Sequence, residues 1–295
     1  MSRQQLDFIL RVAAENPPPE GATPGQLRAW FEAGNAQTPV AGNCHIERVA
    51  CGPMGGDLIH PFGGDETRLI IYYHGGGFVF GSSRSHRTIA THLARAAGCP
   101  VLAPDYRLAP EYAAPVAHDD AYAVYQWALS RGGAPVKIAL AGDSAGGNLA
   151  LATAVRAKAA GGRLPEALVL MSPALDLAGE GPSHRSVTDA PLLTPQLMAI
   201  FNACYIGDGD RKAAAVTPFY ADFSGLPATL VHVGSREILR DDSVTVVERL
   251  KKAGVQAELK IWDGMCHSWQ LFAPMLDEGI GSIDEAGAFL KARLA

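Results

Sequence analysis

Ser144 lies in the segment Gly142-Asp143-Ser144-Ala145-Gly146, which follows the G-x-S-x-G pattern. An apolar run precedes the segment and an alanine-rich run follows it, so the serine would stand on a tight turn between a strand and a helix. On such a turn its hydroxyl can attack a carbonyl carbon, because the N-terminus of the helix favours developing negative charge. The alternative is that Ser144 only caps the helix. The bare pattern is weak evidence, and the neighbouring motifs decide between the two.

A glycine-rich motif comes directly after the apolar run at residues 68–73 and reads His74-Gly75-Gly76-Gly77-Phe78. Consecutive glycines let the backbone approach a ligand closely and present its N–H groups. An HGGG-type motif in this place supplies half of the oxyanion hole in lipases and esterases, and the amide after the nucleophile, here that of Ala145, supplies the rest. A flexible loop or a phosphate cradle is the alternative, but the Lys-Ser/Thr of a phosphate cradle is missing.

His267 is the expected general base. It follows the last predicted strand, late in the chain, as the order Ser…acid…His requires. His74 is expected to brace the glycine-rich loop, while His118 falls in a helical pattern and His232 in a strand pattern. The remaining histidines have no partner pattern and no metal-ligand spacing; they are His45, His60, His86, His92 and His184. We therefore predict no metal and no organic cofactor.

The carboxylate that orients the histidine is expected just after the predicted strand 228–234. The segment GSREILRDD places Glu237 in the loop and Asp241 and Asp242 in the first turn of the next helix. Carboxylates at a helix start are commonly caps. A carboxylate behind the imidazole would hold its tautomer and stabilise the imidazolium. The residues alone leave Glu237, Asp241 and Asp242 as candidates.

The elements that must position these residues alternate along the chain. Strand patterns lie at 68–73, 99–104, 136–142, 167–173, 228–234 and 257–262, after a hairpin pattern at 45–62. Helical patterns lie at 84–97, 115–130, 145–160, 241–253 and 284–294. Apolar strands separated by amphipathic helices predict an α/β fold, with a mostly parallel central sheet flanked by helices.

Two segments break the alternation and are interpreted as a helical cap. Residues 1–43 carry two amphipathic helical patterns, and residues 172–227 contain no strand pattern. The expected organisation is a first cap part at 1–43, a catalytic domain at 44–175 and 223–295, and a second cap part at 176–222. Side chains of the cap that would line an acyl pocket, or only pack the cap, are Trp30, Phe31, Leu193, Met198, Phe201 and Tyr205.

The composition of the chain argues against several classes of binding partner. The formal net charge is −5 and no run of Lys and Arg occurs, which argues against nucleic acid as a partner. No signal-peptide pattern and no apolar run of membrane-spanning length is found, so no membrane is expected. The five cysteines have no CxxC spacing and favour free thiols in a reducing cytoplasm.

Several motifs together resemble the bacterial hormone-sensitive-lipase family of α/β-hydrolase esterases. They are HGGGF, DYRLAPE (105–111), GDSAGGNLA (142–150), the acid-bearing loop and GMCHSW (264–269), and the resemblance runs from about residue 40 to the end. It implies an α/β-hydrolase fold with a two-part helical cap. It also implies that the amides of Gly76 and Gly77 join that of Ala145 in the oxyanion hole. His74, Gly75 and Asp143 would support the site.

The resemblance also bears on the acid and on assembly. The family's usual acid is the aspartate of D-P-L-R-D, and the corresponding E-I-L-R-D places Glu237 at the first acid and Asp241 at the second. Glu237 is therefore the predicted acid and Asp241 the alternative, although glutamate is one methylene longer. A homodimer through the edge strand 257–262 is the expected assembly.

The sequence thus predicts a serine esterase, with Ser144, Glu237 and His267 as its triad. It would hydrolyse short- to medium-chain carboxylic esters, and lactones as a related class, through an acyl-enzyme. An amidase or peptidase remains an alternative because the same triad serves both leaving groups. A non-catalytic small-molecule-binding relative is the other, because fold alone does not fix function. A dehalogenase-type enzyme would need an aspartate at position 144.

Overall fold

The computed structural model describes residues 2–35, 37–130 and 135–295. Within them a central sheet has the order β1-β2-β4-β3-β5-β6-β7-β8. The strands are β1 (Cys44–Cys51), β2 (Met54–Pro61), β3 (Arg68–Tyr73), β4 (Val101–Pro104), β5 (Lys137–Asp143), β6 (Ala167–Met171), β7 (Ala228–Gly234) and β8 (Ala257–Trp262). β1 and β2 pair antiparallel, β2 is antiparallel to β4, and all other pairs are parallel. The predicted α/β class is confirmed.

Helices cover both faces of the sheet. They are α1 (Ser2–Glu15), α2 (Pro24–Asn35), α3 (Arg87–Ala97), α4 (Val116–Ser130), α5 (Ala145–Ala159), α6 (Ser183–Ser186), α7 (Pro195–Tyr205), α8 (Arg240–Lys252) and α9 (Asp277–Leu294). One core cluster joins α4, α5 and α8 to one face, and a second joins α3 and α9 to the other. Neighbouring strand residues therefore serve opposite cores: Ile71 packs in the first and Ile70 in the second.

The topology gathers the candidate site at one edge of the sheet. Parallel strands end at the same edge, where open α/β sheets bind their ligands. β3 leads into the glycine-rich loop, β5 ends at Asp143 next to Ser144, and β7 ends at Gly234 ahead of Glu237. β8 leads through Trp262 to the loop that carries His267. Residues far apart in the sequence are thus brought to one place by strand pairing.

The two segments that are interpreted as the cap lie against loops at this same edge of the sheet. Leu6 and Ile9 of α1 are buried in one cluster with Met265 and Cys266. Helix α7 begins after Thr194, whose Oγ1 accepts a hydrogen bond from the backbone of α7. The helix buries its apolar face in the first core cluster. The division of the chain at residues 43, 175 and 222 stays a prediction. None of the described helices combines the length and the apolar character that a bilayer span requires.

Helix α9 is longer than its sequence pattern predicts. The pattern places its start near residue 284, but the helix begins at Asp277. Gly279 and Gly281 weaken the helical pattern of the first turns, since glycine is a poor helix former. Two acidic residues, Asp277 and Glu278, stand in the first turn and suit the positive end of the helix. Gly279 also lies close to Ala273, where a larger side chain would be crowded.

Candidate active site

Ser144 stands on a strained turn between β5 and α5. Its φ of 52° and ψ of −119° fall where L-residues are rarely found, and its side chain makes no capping hydrogen bond to α5. The helix-capping alternative is therefore wrong. A Cβ at Gly146 would overlap the carbonyl of Tyr73, and one at Gly142 would overlap the carbonyl of Gly146. The turn thus needs glycine at both positions, as the motif indicates.

Three side chains that are distant in sequence form one hydrogen-bonded line. Nε2 of His267 lies 2.9 Å from Oγ of Ser144, and its Nδ1 lies 2.9 Å from Oε2 of Glu237. A carboxylate only accepts hydrogen bonds, so Nδ1 carries the proton and Nε2 accepts from the serine hydroxyl. In this tautomer the imidazole can withdraw the proton of Ser144 as the oxygen attacks. Glu237 is fully buried, and Ser144 is 7% exposed.

The second oxygen of Glu237 is fixed by the ends of two strands. Oε1 accepts from Oγ of Ser172 at 2.8 Å and from the amide of Gly234. The same Ser172 oxygen accepts from the amide of Ser268, next to His267, at 3.2 Å. Ser172 therefore ties the acid loop to the histidine loop. No motif in the sequence points to Ser172, and its sequence signal is its position directly after a buried strand.

Asp241, the alternative acid, lies elsewhere. It is in the first turn of α8, and its Oδ1 is 2.9 Å from Nε of Arg240. Its backbone amide donates to Oγ of Ser183 at 3.0 Å. The Nδ1 atom of His267 is already bonded to Glu237. The geometry thus places Glu237 behind the histidine and Asp241 at the helix start.

The glycine-rich loop presents free amides. Gly76 and Gly77 have φ of 109° and 60°, which favour glycine. A Cβ at Gly76 would overlap the carbonyl of Phe80, and one at Gly77 would overlap the ring of Phe201. Across the described part of the chain, the amides of Gly76, Gly77 and Ala145 donate to no other protein group. Donors held in this way are available to a developing oxyanion.

Asp143 joins this loop to the histidine loop. Its carboxylate accepts from the amide of Gly75 at 2.9 Å, from Oη of Tyr72 at 2.5 Å and from Oγ of Ser268 at 3.1 Å. A side chain at Gly75 would collide with this carboxylate. The structure therefore places Asp143 and Gly75 in a network that connects the three parts of the site.

His74 packs beneath the glycine-rich loop. Its ring stacks on Tyr106 with 4.1 Å between centroids, and its Nδ1 donates to the carbonyl of Gly75 at 2.8 Å. Burial, with the nearby His86 ring as a smaller cause, lowers the pKa of His74 to about 4. The ring is therefore neutral around pH 7 and braces the loop without adding charge.

One histidine that lacked a sequence pattern has a structural partner. Nε2 of His184 in α6 lies 3.1 Å from Oδ1 of Asp242 in α8. Burial is the largest single effect and opposes the charged ring, but the hydrogen bond to Asp242 and the negative charges of Asp242 and Asp176 together raise the pKa of His184. Burial raises the pKa of Asp242 to about 6. The pair anchors the 176–222 segment to the helix that follows the acid loop. Among the described residues, no cluster of three or more His, Cys, Asp or Glu side chains could hold a metal ion.

The candidate pocket residues differ in what they contact. Phe31 and Phe201 both contact Phe80 of the glycine-rich loop, at centroid distances of 4.6 and 5.4 Å. Leu193, Met198 and Tyr205 are buried in the first core cluster, on the side of the sheet covered by α4, α5 and α8. Trp30 packs against Phe31 and donates from Nε1 to the carbonyl of Asn16 at 3.3 Å. Tyr205 also stacks on Phe78 of the glycine-rich motif with 4.2 Å between ring centroids, so Phe31, Phe201 and Tyr205 reach the loop beside Ser144.

A strained elbow serine, a histidine paired with a buried carboxylate and free amides at the end of a parallel sheet define a serine hydrolase. Residues 70–271 match the family model described as alpha/beta hydrolase fold. The chain belongs to this family and, within it, to the esterases of the bacterial hormone-sensitive lipase family.

Relatives and solved structures carry this assignment. A crystal structure of an esterase from the bacterial hormone-sensitive lipase family is 38% identical, with a TM-score of 0.94 over 99% of both chains. An esterase of Acinetobacter venetianus is 39% identical over 96% of this chain and 94% of its own length. An acetyl-hydrolase of Streptomyces hygroscopicus is 40% identical over 77% of this chain and 76% of its own.

Proposed function

We propose that this protein is a carboxylesterase that hydrolyses short- to medium-chain carboxylic esters through an acyl-enzyme on Ser144. The observation that carries the proposal is His267, which is hydrogen-bonded at once to the elbow serine and to a buried carboxylate. The esterases and the acetyl-hydrolase among its relatives support the same activity.

Acylation begins when Oγ of Ser144 attacks the ester carbonyl carbon and Nε2 of His267 takes the hydroxyl proton. The carbonyl oxygen becomes an oxyanion and accepts from the amides of Gly76, Gly77 and Ala145. Each such donor is worth about 2.7–4 kcal/mol in the transition state. The imidazolium that forms is stabilised by the carboxylate of Glu237.

The tetrahedral adduct then collapses. The carbon–oxygen bond to the alcohol breaks, and His267 gives its proton to the departing alkoxide. Water enters and attacks the acyl carbon while His267 accepts one of its protons. Collapse of this second adduct releases the carboxylic acid and returns the proton to Ser144, so that the enzyme is restored.

The substrate is expected to be small. The rings of Phe31 and Phe201 each contact the ring of Phe80 beside the oxyanion loop, and the ring of Phe201 lies against Gly77. Aromatic rings this close to the oxyanion loop are expected to favour short acyl groups over long ones. Lactones fit the same chemistry, because a cyclic ester presents the same carbonyl carbon. An amidase or peptidase remains the second candidate, because its acyl-enzyme would form in the same way.

A panel of p-nitrophenyl esters from C2 to C12, assayed with the purified protein, tests the activity and its size limit. We expect kcat/KM to be highest at C2 to C6 and to fall at C10 and C12, because the aromatic side chains limit the acyl chain. The matching p-nitroanilides serve as the comparison and are expected to react much more slowly. A maximum at C12 contradicts the size limit, and faster anilide turnover favours the amidase.

We also propose a homodimer formed by the edge strand. β8 ends the sheet, and Ile261 is 44% exposed. The carbonyls of Gln256 and Trp262 accept hydrogen bonds from backbone amides on the β7 side. Because backbone groups alternate between the two sides of a strand, the amides of Leu259 and Ile261 face outward. Size exclusion with light scattering should give twice the chain mass. Ile261→Pro should give a folded monomer, because proline removes one outward donor. A monomeric wild type at micromolar concentration contradicts the proposal.

The remaining assignments concern location and partners. All five cysteines are free thiols, which supports a reducing, cytoplasmic location. The partner we propose is the small ester itself, with neither nucleic acid nor a membrane as a further one.

A further inference from the structure

A line of buried polar side chains lies beside the oxyanion loop and takes no part in the mechanism above. Nδ1 of His118, on α4, is 2.7 Å from Oη of Tyr205, on α7. Nε2 of His118 is 2.9 Å from Oδ1 of Asn148, on α5. All three residues are buried, so these hydrogen bonds have no competition from water. The line joins a helix of the 176–222 segment to the helix that follows Ser144.

The direction of every hydrogen bond in this line is determined. Nδ2 of Asn148 donates to the carbonyls of Ala174 at 2.8 Å and Val216 at 3.2 Å, so its Oδ1 must accept from Nε2–H of His118. Burial lowers the pKa of His118 to about 4, and its ring is neutral around pH 7. Nδ1 then carries a lone pair, and the Tyr205 hydroxyl donates to it. In this arrangement the polar side-chain atoms of Tyr205, His118 and Asn148 all have partners.

One end of the line holds the glycine-rich loop. Phe78 follows Gly77 directly and has a φ of 64°, a strained value for a residue with a side chain. Its ring stacks on Tyr205 with 4.2 Å between centroids and 16° between planes. The position of Tyr205 therefore fixes Phe78, and with it the direction of the neighbouring Gly77 amide.

The other end holds the turn that carries the nucleophile. The amide of Asn148 donates to the carbonyl of Ser144 at 3.2 Å, and that carbonyl also accepts from the amide of Ala174 at 3.0 Å. The side-chain amide of Asn148 also donates a hydrogen bond to the carbonyl of Ala174. The first turn of α5, where the Ala145 amide lies, is thus clamped by the same residue that receives the hydrogen bond of His118.

We propose that Tyr205 and His118 are positioning residues that set the distance between the two halves of the oxyanion hole. This inference rests on the proposed esterase function. The donors must lie about 2.7–3.1 Å from the oxyanion, and a shift on the order of 1 Å costs roughly 100-fold in rate. A cap helix thereby takes part in transition-state stabilisation through a hydroxyl that does not touch the substrate.

Tyr205→Phe is the sharpest test, because it keeps the ring that stacks on Phe78 and removes only the hydroxyl. We expect kcat for p-nitrophenyl acetate to fall about tenfold with KM within about twofold, since the ground-state carbonyl depends less on these donors. The affinity for a butylboronic acid, which forms a tetrahedral adduct on Ser144, should fall by the same factor. Tyr125→Phe is the matched control: it removes a buried hydroxyl that donates to the Arg163 carbonyl at 2.8 Å, and its kinetics should equal those of the wild type.

His118 provides a second and independent test. His118→Gln keeps one donor and one acceptor in the line and should retain more of kcat than His118→Leu, which has neither. This comparison also decides the matter if Tyr205→Phe fails to fold. Melting temperatures of all variants accompany the kinetics.

The outcomes separate the inference from the function. Wild-type kcat and boronate affinity in a folded Tyr205→Phe protein overturn the inference, as does an equal loss in Tyr125→Phe, which would indicate a general effect of stability. Equal activities of His118→Gln and His118→Leu overturn it too. An inactive wild type overturns the proposed function and the inference with it, whereas an active wild type leaves the function standing whichever way the variants behave.

Discussion

Ser144→Ala lowers ester turnover by about 10⁵-fold or more, which is the range found when the nucleophile of such a triad is removed. The expected effect is large because no other side chain supplies the attacking oxygen. His267 and the free amides remain, and they leave only a small residual rate over water. The measurement is the initial rate of p-nitrophenyl butyrate hydrolysis, together with covalent labelling by phenylmethanesulfonyl fluoride read by mass spectrometry. The wild type should gain one adduct on the peptide that contains Ser144, and the variant none.

A matched control separates chemistry from folding. Ser282 is also buried, and its Oγ lies 2.8 Å from Nδ1 of His232 in the core beneath α9. Ser282→Ala therefore removes a buried hydroxyl that no step of the mechanism uses, and its kcat should stay close to that of the wild type. Near wild-type activity of a folded Ser144→Ala protein would remove the nucleophile assignment and, with it, the proposed acyl-enzyme.

The parts of the site that sequence reasoning predicted are those encoded by local rules. The G-x-S-x-G turn needs glycines because chains cross closely there, and Gly142 and Gly146 have the contacts that require this. The buried strands are easy to predict from the sequence, because strands of a sheet covered by helices on both faces are apolar throughout. Helix α9 shows the limit of such rules, since its first turns contain glycine and are held by packing against Ala273 rather than by helix propensity.

The parts that were missed depend on pairing between distant segments. Ser172 is one serine among many in the sequence, and it reaches Glu237 only because β6 and β7 lie side by side. His118 lies in a helical pattern, but its partner Tyr205 is separated from it by 87 positions. No period or motif encodes such a contact. It follows from how α4 and α7 pack, which is a property of the folded chain.

Glu237→Ala is expected to lower kcat by about 10³–10⁴-fold, while Asp241→Ala stays within a few-fold of the wild type. Without the carboxylate, Nδ1–H of His267 loses its acceptor, and Ser172 loses the oxygen to which it donates. Asp241 pairs with Arg240 at the partly exposed start of α8, so its loss leaves the histidine in place. Rates with p-nitrophenyl butyrate and melting temperatures for both variants check this. A larger loss at Asp241 would make the assignment of the acid wrong.

The Glu237→Asp variant tests whether this chain needs a glutamate at the position where the family pattern has an aspartate. Oε2 of Glu237 lies 2.9 Å from Nδ1 of His267, while Oε1 is held by Ser172. An aspartate on the same backbone falls short by roughly one carbon–carbon bond, about 1.5 Å, so it cannot keep both contacts. We expect kcat to lie between those of the wild type and Glu237→Ala. Wild-type activity would mean that the acid loop moves forward freely, and the network around Ser172 would then not set the reach of the acid.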